Sequence, residues 1–96
     1  MNSLTDVDLR PFNANVDNDG ARAIAGALRA NTNMTKLYLS VEGTNIGIEG
    51  AQALSKGISG SAMLTDATVE TDKAKVERWR PLFRGACGGG VRFIGS

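Results

Sequence analysis

The chain has 96 residues, 42% of them hydrophobic, and its 11 Lys and Arg residues against 10 Asp and Glu residues give a net charge of +1. This length allows one domain with a thin margin of stability, and the near-neutral charge argues against a nucleic-acid binder that uses its whole surface. Because the chain has no histidine and only one cysteine, Cys87, the composition excludes Ser–His and Cys–His nucleophile pairs, histidine metal ligands and an internal disulfide.

A 30-residue repeat organises the chain. Residues 15–24 and 45–54 align at a shift of 30 positions, with four identities and three conservative pairs. An apolar-x-x-apolar-x-apolar pattern precedes each block, and its alternating end predicts a short strand with one buried face. A weaker fourth copy is Val91-Arg92-Phe93, and the three clear copies of the pattern begin at Leu4, Met34 and Leu64.

Between the predicted strands the apolar period becomes helical. Asp17 or Asn18 is the expected N-cap of the first helix, because short polar side chains accept hydrogen bonds from the first free N–H groups. The spacing i, i+3, i+4, i+7 predicts two amphipathic helices. Their buried stripes are Ala21, Ile24, Ala25 and Leu28 in the first, and Ala51, Leu54 and Ile58 in the second.

The third unit keeps its strand but not the turn that follows. A helix is predicted to start near Thr71 or Asp72 and to bury Val76, Trp79 and Phe83. Pro81 either ends this helix or opens a second short helical turn as its first residue. We expect Trp79 and Phe83 to cover the last apolar layer, as terminal units do in repeat proteins. An aromatic ligand pocket is the alternative.

Residues 45–54, Asn-Ile-Gly-Ile-Glu-Gly-Ala-Gln-Ala-Leu, follow the strand residues Leu37-x-Leu39. This pattern resembles the leucine-rich repeat of the ribonuclease-inhibitor type, which also occurs in NOD-like receptors and Ran GTPase-activating proteins. The resemblance implies an α/β fold, a short leucine-rich-repeat solenoid of about three strand–turn–helix units with a parallel sheet and outer helices. It also implies a single domain over residues 1–96, with units at about 4–33 and 34–63 and a degenerate C-terminal cap at 64–96.

One feature departs from the family pattern. The family places an asparagine three residues after the last strand leucine, where it bonds backbone in the turn, whereas Asn15 and Asn45 follow Leu9 and Leu39 by six residues. A short bulge or insertion, such as residues 40–43, must absorb the difference.

In this repeat class the strands line a concave face, and residues between the buried leucines point onto it. Stacking of the units predicts three ladders: Asp6, Lys36, Asp66; Asp8, Tyr38, Thr68; Arg10, Ser40, Glu70. Tyr38, with Lys36 and Arg10, is the predicted centre of a protein-binding site, because Tyr and Arg dominate binding hot spots. The full set of predicted contact residues is Arg10, Lys36, Tyr38, Ser40, Asp66, Thr68 and Glu70; ordinary solvated strand residues are the alternative.

No group of residues predicts catalysis. Asp6, Asp8 and Asp66 are expected on the exposed side of the strands, where a carboxylate is solvated rather than tuned for acid–base chemistry. Asp17 and Asp19 fail the spacing of a calcium loop, and no phosphate-binding helix follows the glycines at 88–90. We therefore expect no enzymatic activity, no catalytic residue, no cofactor and no metal.

Positive charge is concentrated in the last third. Residues 1–66 carry seven carboxylates and five cations, whereas residues 67–96 carry three carboxylates and six cations. Basic residues interleaved with aromatic ones can bind RNA or an acidic partner, although an amphipathic helix with solvated cations has the same composition. The candidate basic patch is Lys73, Lys75, Arg78, Arg80, Arg84 and Arg92.

These observations predict a non-catalytic protein–protein interaction module or a small structural subunit of a larger assembly. Two clear repeats and a degenerate third are near the minimum for a stable array, so we expect either that the repeat ends bind a larger complex or a second copy, or that the sequence is a piece of a longer repeat protein. An RNA- or ribonucleoprotein-associated accessory protein is the alternative, and regulation of a GTPase rests on the family resemblance alone. No apolar run approaches the roughly 20 residues of a membrane span, and we expect an intracellular, cytoplasmic protein.

Overall fold

The computed structural model describes residues 6–10, 16–31, 33–61, 63–86 and 90–95. The residues at 4, 15 and 87–89 that the sequence patterns use lie outside this described part. The elements in chain order are β1 (Asp6–Leu9), α1 (Asn18–Ala30), β2 (Lys36–Ser40), α2 (Ile48–Ser59), β3 (Asp66–Thr71), α3 (Lys73–Trp79), a 3₁₀ helix (Arg80–Phe83) and β4 (Val91–Gly95).

The four strands form one parallel sheet in chain order, β1-β2-β3-β4. Val7 lies opposite Leu37, and Leu37 lies opposite Ala67, so neighbouring repeats are in register at the 30-residue shift. Val91 continues this row beside Ala67, which confirms that the weak fourth copy is a strand. The α/β class and the parallel sheet are thus confirmed, as are the two ladders through Lys36 and Tyr38.

One face of the sheet packs against the helices. Leu37, Leu39 and Val69 are buried there because alternate residues of a strand point to the same side. They belong to a single apolar cluster that includes residues of all three helices, and each large side chain fully buried there contributes on the order of 1.5–3 kcal/mol. The opposite face carries the polar residues of the ladders, and we call it the outer face.

The first two helices are linked by a side chain at the start of α1. Asp17 is the N-cap of α1, where its Oδ1 accepts from the backbone N of Asp19 at 3.0 Å. Asn18, the other predicted candidate, instead reaches the N-terminus of α2, where its Oδ1 accepts from Gly47 N at 2.8 Å and Gly50 N at 3.0 Å. Consecutive repeats are therefore joined by a side chain as well as by the sheet.

Glycine and alanine allow α1 and α2 to approach closely. A Cβ added at Gly57 would lie 2.8 Å from the Cα of Ala25 and 2.9 Å from its Cβ. At Gly50 an added Cβ would lie 2.7 Å from Oδ1 of Asn18, the atom that caps α2. Larger residues at these two positions would separate the helices and displace the cap.

The C-terminal elements enclose the aromatic residues. Pro81 lies in the first turn of the 3₁₀ helix. Of the two alternatives for this residue, the structure therefore shows the second short helical turn. Trp79 and Phe83 are each 1% exposed, with stacked rings 6.1 Å apart, and Phe93 of β4 meets Phe83 edge-on at 5.4 Å. The prediction that Trp79 and Phe83 are buried is confirmed.

The turn after β2 differs from the family pattern. The side chain of Asn45 is exposed, and its backbone N donates to Val16 O at 2.8 Å. Gly43 turns the chain with a φ of 81°, and the hydroxyl of Thr44 donates to Val41 O at 2.6 Å. Asn18 is an asparagine that bonds the backbone of the next repeat.

No helix in the described part of the chain combines the length and apolar character that a membrane crossing requires.

Candidate functional site

The outer face brings most of the predicted contact residues together. Lys36, Tyr38, Asp66 and Thr68 line a shallow depression of about 310 Å³ with Asp6, Val7, Asp8 and Leu37. Alternation along β1, β2 and β3 places these polar side chains opposite the buried apolar ones. Arg10 and Glu70 join the same surface through their contacts with Tyr38.

Tyr38 is held at its ring and at its hydroxyl. The guanidinium carbon of Arg10 lies 4.9 Å from the ring centroid, which is within the range of a cation–π contact. The hydroxyl donates a hydrogen bond of 2.5 Å to Oε1 of Glu70 on the neighbouring strand. The half-buried ring is therefore oriented before any partner binds.

Asp8 positions Arg10 over the tyrosine. Nε of Arg10 donates to Oδ1 of Asp8 at 2.8 Å, and Nη2 donates to Oδ2 at 3.1 Å. This bidentate geometry fixes the plane of the guanidinium group. This hydrogen bonding lowers the pKa of the Asp8 carboxyl and raises the pKa of Arg10. Both side chains are therefore charged at neutral pH.

Glu70 raises the pKa of the tyrosine. The hydrogen bond that Tyr38 donates to Glu70 is the largest cause that raises the pKa of the phenol, followed by burial and by the negative charge of Glu70. The proton of the hydroxyl is directed at the carboxylate, which favours the neutral form of the phenol.

Charges alternate across the outer face. Lys36 lies in register between Asp6 on β1 and Asp66 on β3. Asp66 in turn has its Oδ1 3.2 Å from Nη2 of Arg92 on β4. The face thus offers both signs of charge around the tyrosine, which suits a partner of complementary charge pattern.

Ser40 departs from its predicted position on the contact surface. The residue is 1% exposed, and its Oγ has no hydrogen-bond partner among the described residues. Val41 N donates to Glu70 O at 2.9 Å, so the chain stays against β3 beyond Ser40. Ser40 is therefore enclosed rather than available to a partner.

The six residues of the predicted basic patch do not share one surface. Arg92 lies on the outer face, whereas Lys73 and Arg80 line a depression of about 400 Å³ beside Phe93. Nζ of Lys75 donates to Thr44 O at 3.0 Å, and Arg78 is exposed on α3. Arg84 lies apart from all of these, next to the C-terminal ends of α1 and α2.

Sequence reasoning missed the cations that accompany Arg84. Arg29 in the last turn of α1 and Lys56 in the last turn of α2 line the same depression of about 430 Å³. The seven-residue spacing of Arg22 and Arg29 on one helix face is a signal that could have directed attention to this side. No spacing in the sequence indicates that Arg84 lies beside Arg29 and Lys56.

Among the described residues, no group of three His, Cys, Asp or Glu side chains is arranged to hold a metal ion. Comparisons of the chain with protein-family models, with curated proteins and with solved structures found no match.

Proposed function

We propose that this chain is a non-catalytic protein-binding module, a short leucine-rich-repeat array of the ribonuclease-inhibitor type that works in the cytoplasm. Its partner is a protein that contacts the outer face around Tyr38. The 30-residue register of the strands and the stacking of α1 on α2 support the repeat assignment. The single cysteine of the chain suits a reducing compartment.

The arrangement of Tyr38 carries the proposal. An aromatic ring that is already oriented by Arg10 and Glu70 loses little side-chain freedom when a partner packs on it. Tyr and Arg at the centre of a polar surface are the residues most enriched in binding hot spots. The surrounding carboxylates and Lys36 would select among partners by charge.

The state of the carboxylates supports a role in binding rather than catalysis. A general acid needs a carboxyl whose pKa is raised by burial, whereas the pKa of Asp8 is lowered by Arg10. Asp6 and Asp8 are also exposed. We accordingly propose no reaction at this face.

Quantitative affinity capture tests the proposal. Immobilised wild-type protein, Tyr38→Ala and Glu77→Ala are each incubated with extract of the source cells, and retained proteins are compared by mass spectrometry. Glu77 is exposed on α3, away from the outer face, so Glu77→Ala is the matched control. A partner retained by wild type and control but depleted at least about tenfold by Tyr38→Ala is the expected result. Equal retention by all three proteins would contradict the proposal.

A second contact is proposed at the sheet edges, through which the module joins a second copy or a larger assembly. In the described sheet, β1 and β4 are the edge strands. If the β1 of a second copy adds beside β4 in the common register, Arg92 lies opposite Asp8 and Phe93 lies opposite Leu9. Opposite charges and apolar side chains would then meet across the new pair.

Light scattering behind a sizing column, with far-UV circular dichroism across a dilution series, tests this second contact. Association predicts a mass above that of one chain that falls on dilution. A folded monomer at every concentration would contradict it and leave the contact at Tyr38 as the proposed function.

A further inference from the structure

Three cations from separate elements meet on the helical side of the molecule. Arg29, Lys56 and Arg84 are exposed, and all three line the depression of about 430 Å³. Within the described part of the chain the side chain of none of them has an ion-pair or hydrogen-bond partner. By contrast, Arg10, Arg22 and Arg92 are each paired with a carboxylate.

Arg29 and Lys56 also line a neighbouring depression of about 180 Å³ between α1 and α2. Arg22 lines the same depression, but its guanidinium is already paired with Asp19, and its Nη2 lies 3.9 Å from Oε2 of Glu49. None of the described residues that line either depression is a carboxylate. We call the three unpaired residues Arg29, Lys56 and Arg84 the basic track.

The absence of a side chain at Gly60 leaves space for the side chain of Arg29. Gly60 follows α2 in a right-handed helical conformation that any residue can adopt. A Cβ at this position would lie 2.9 Å from Cγ of Arg29 and 3.1 Å from its Cδ. The arginine side chain therefore lies directly over the end of α2, and a side chain at position 60 would displace it.

Helix dipoles explain only part of this arrangement. The negative C-terminal ends of α1 and α2 favour a nearby cation, which accounts for Arg29 and Lys56 taken singly. Arg84 follows the 3₁₀ helix and adds a third positive charge without a counterion. The dipoles of α1 and α2 thus do not account for the positive charge of Arg84.

The remaining lining residues indicate the kind of anion. They are small or hydroxylic, and none is aromatic or a large apolar residue: Ala25, Gly26, Ala53, Ser55, Ser59, Gly60, Gly85 and Ala86. Protein partners need an apolar or aromatic anchor, whereas phosphates are contacted by Arg, Lys, Ser and backbone N–H groups. Single strands are bound largely by stacking on aromatic rings, and none of the described residues that line the two depressions is aromatic.

We propose that the basic track binds the phosphate backbone of a nucleic-acid duplex without reading its sequence. Arg29, Lys56 and Arg84 each contact a phosphate. The site is separate from the outer face, so it does not depend on the function proposed for Tyr38.

Fluorescence anisotropy with a labelled DNA duplex of about 20 base pairs, titrated from about 20 to about 200 mM salt, tests the proposal. Three phosphate contacts predict that log K falls with log salt concentration with a slope of about −2.7. Arg84→Ala and Arg29→Ala should each bring the slope closer to zero by about 0.9. Arg78→Ala is the matched control, because it removes an exposed arginine that lines neither depression.

A second variant changes geometry without changing charge. Gly60→Ala displaces Arg29 and should weaken duplex binding as Arg29→Ala does, while Trp79 emission and far-UV circular dichroism remain those of wild type. Tyr38→Ala should bind the duplex with unchanged affinity.

Five outcomes would overturn the proposal. Equal weakening by Arg78→Ala and Arg84→Ala would show attraction to net charge alone. A slope near zero, or wild-type binding by folded Gly60→Ala, would show that the track makes no phosphate contact of this kind. Tighter binding of a single strand of the same sequence would exclude the duplex as the preferred ligand. Equally tight binding of a polyglutamate of matched charge would show that phosphate is not required.

Discussion

Tyr38 shows how neighbouring repeats set the properties of one residue. Its hydroxyl partner, Glu70, is 32 positions away in sequence and its ring partner, Arg10, is 28 positions away, yet the register brings both into contact with it. Two of the three ladders therefore meet at one side chain. The hydrogen bond to Glu70 that orients the hydroxyl also raises the pKa of the phenol, so this contact can be tested by titration.

The first prediction concerns this proton. Tyr38 is the only tyrosine of the chain, so an alkaline absorbance titration reports its pKa alone, and we expect a midpoint above the ordinary 10.0. Glu70→Ala should bring the midpoint back towards 10.0, whereas Glu77→Ala should leave it unchanged. Because the folded-state pKa is raised, the contact with Glu70 stabilises the fold fully below pH 10 and is lost as pH rises through the folded pKa. A midpoint that Glu70→Ala does not move would refute the contact.

Asn18 provides the second residue-scale prediction. Asn18→Ala leaves two backbone N–H groups at the start of α2 without their acceptor, which should lower the free energy of unfolding by about 1–3 kcal/mol. Urea unfolding followed by the fluorescence of Trp79, the only tryptophan, measures the change. Asn18→Asp keeps an acceptor and should lose less. Gln52→Ala, at an exposed position of α2, should change stability by less than about 0.5 kcal/mol. Equal stability of Asn18→Ala and Gln52→Ala would contradict the linking role.

At the scale of elements, small residues set the distance between α1 and α2. Ala21 and Ala25 on α1 face Gly50 and Gly57 on α2, and the added-Cβ distances are below normal contact at both glycines. An added methyl group therefore has no space between α1 and α2, whereas the exposed position Gly26 on α1 has space for one.

Two glycine substitutions test this arrangement with opposite expected signs. Gly57→Ala should destabilise the protein by about 1–3 kcal/mol, because the new methyl group meets the backbone of Ala25. Gly26→Ala, in α1 with no atom within 4 Å of the added Cβ, should stabilise it by up to about 1 kcal/mol through helix propensity. Thermal unfolding of the two variants beside wild type gives the comparison. A Gly57→Ala variant as stable as wild type, or more stable, would mean that the helices are farther apart than described.

The whole molecule is held by one apolar cluster that runs from α1 to the aromatic residues of the C-terminal elements. Leu28, Leu54 and Trp79 belong to it together with the buried strand residues. Because the cluster continues from each repeat into the next, the loss of one repeat exposes apolar side chains of its neighbour, and this couples their unfolding.

Cooperative unfolding is the prediction at this scale. Far-UV circular dichroism reports mainly on α1 and α2, whereas Trp79 fluorescence reports on the C-terminal elements. We expect both signals to change at the same urea concentration in a single transition. A helical signal that is lost at lower urea than the tryptophan signal would show separate units instead.

The sequence alone determined the features that depend on local periodicity. A strand presents alternate residues to one side, so the buried rows through Leu37 and Leu39, and the outer position of Tyr38, follow from alternation and the 30-residue shift. For the N-cap of α1 and for Pro81 the sequence left two alternatives each, and the structure shows the cap at Asp17 and a 3₁₀ turn at Pro81. Most residues of the proposed protein-binding surface could therefore be predicted from their positions in the sequence.

Only the tertiary structure decided what depends on distances between elements. Asn18 caps the helix of the next repeat rather than its own, and Ser40 is enclosed although alternation placed it on the outer face. The basic residues of the last third are divided among separate surfaces, and Arg84 meets Arg29 and Lys56 from repeats that sequence reasoning did not connect with it. The physical reason is that side-chain reach and helix spacing bring together residues far apart in the chain, and no local period encodes those distances.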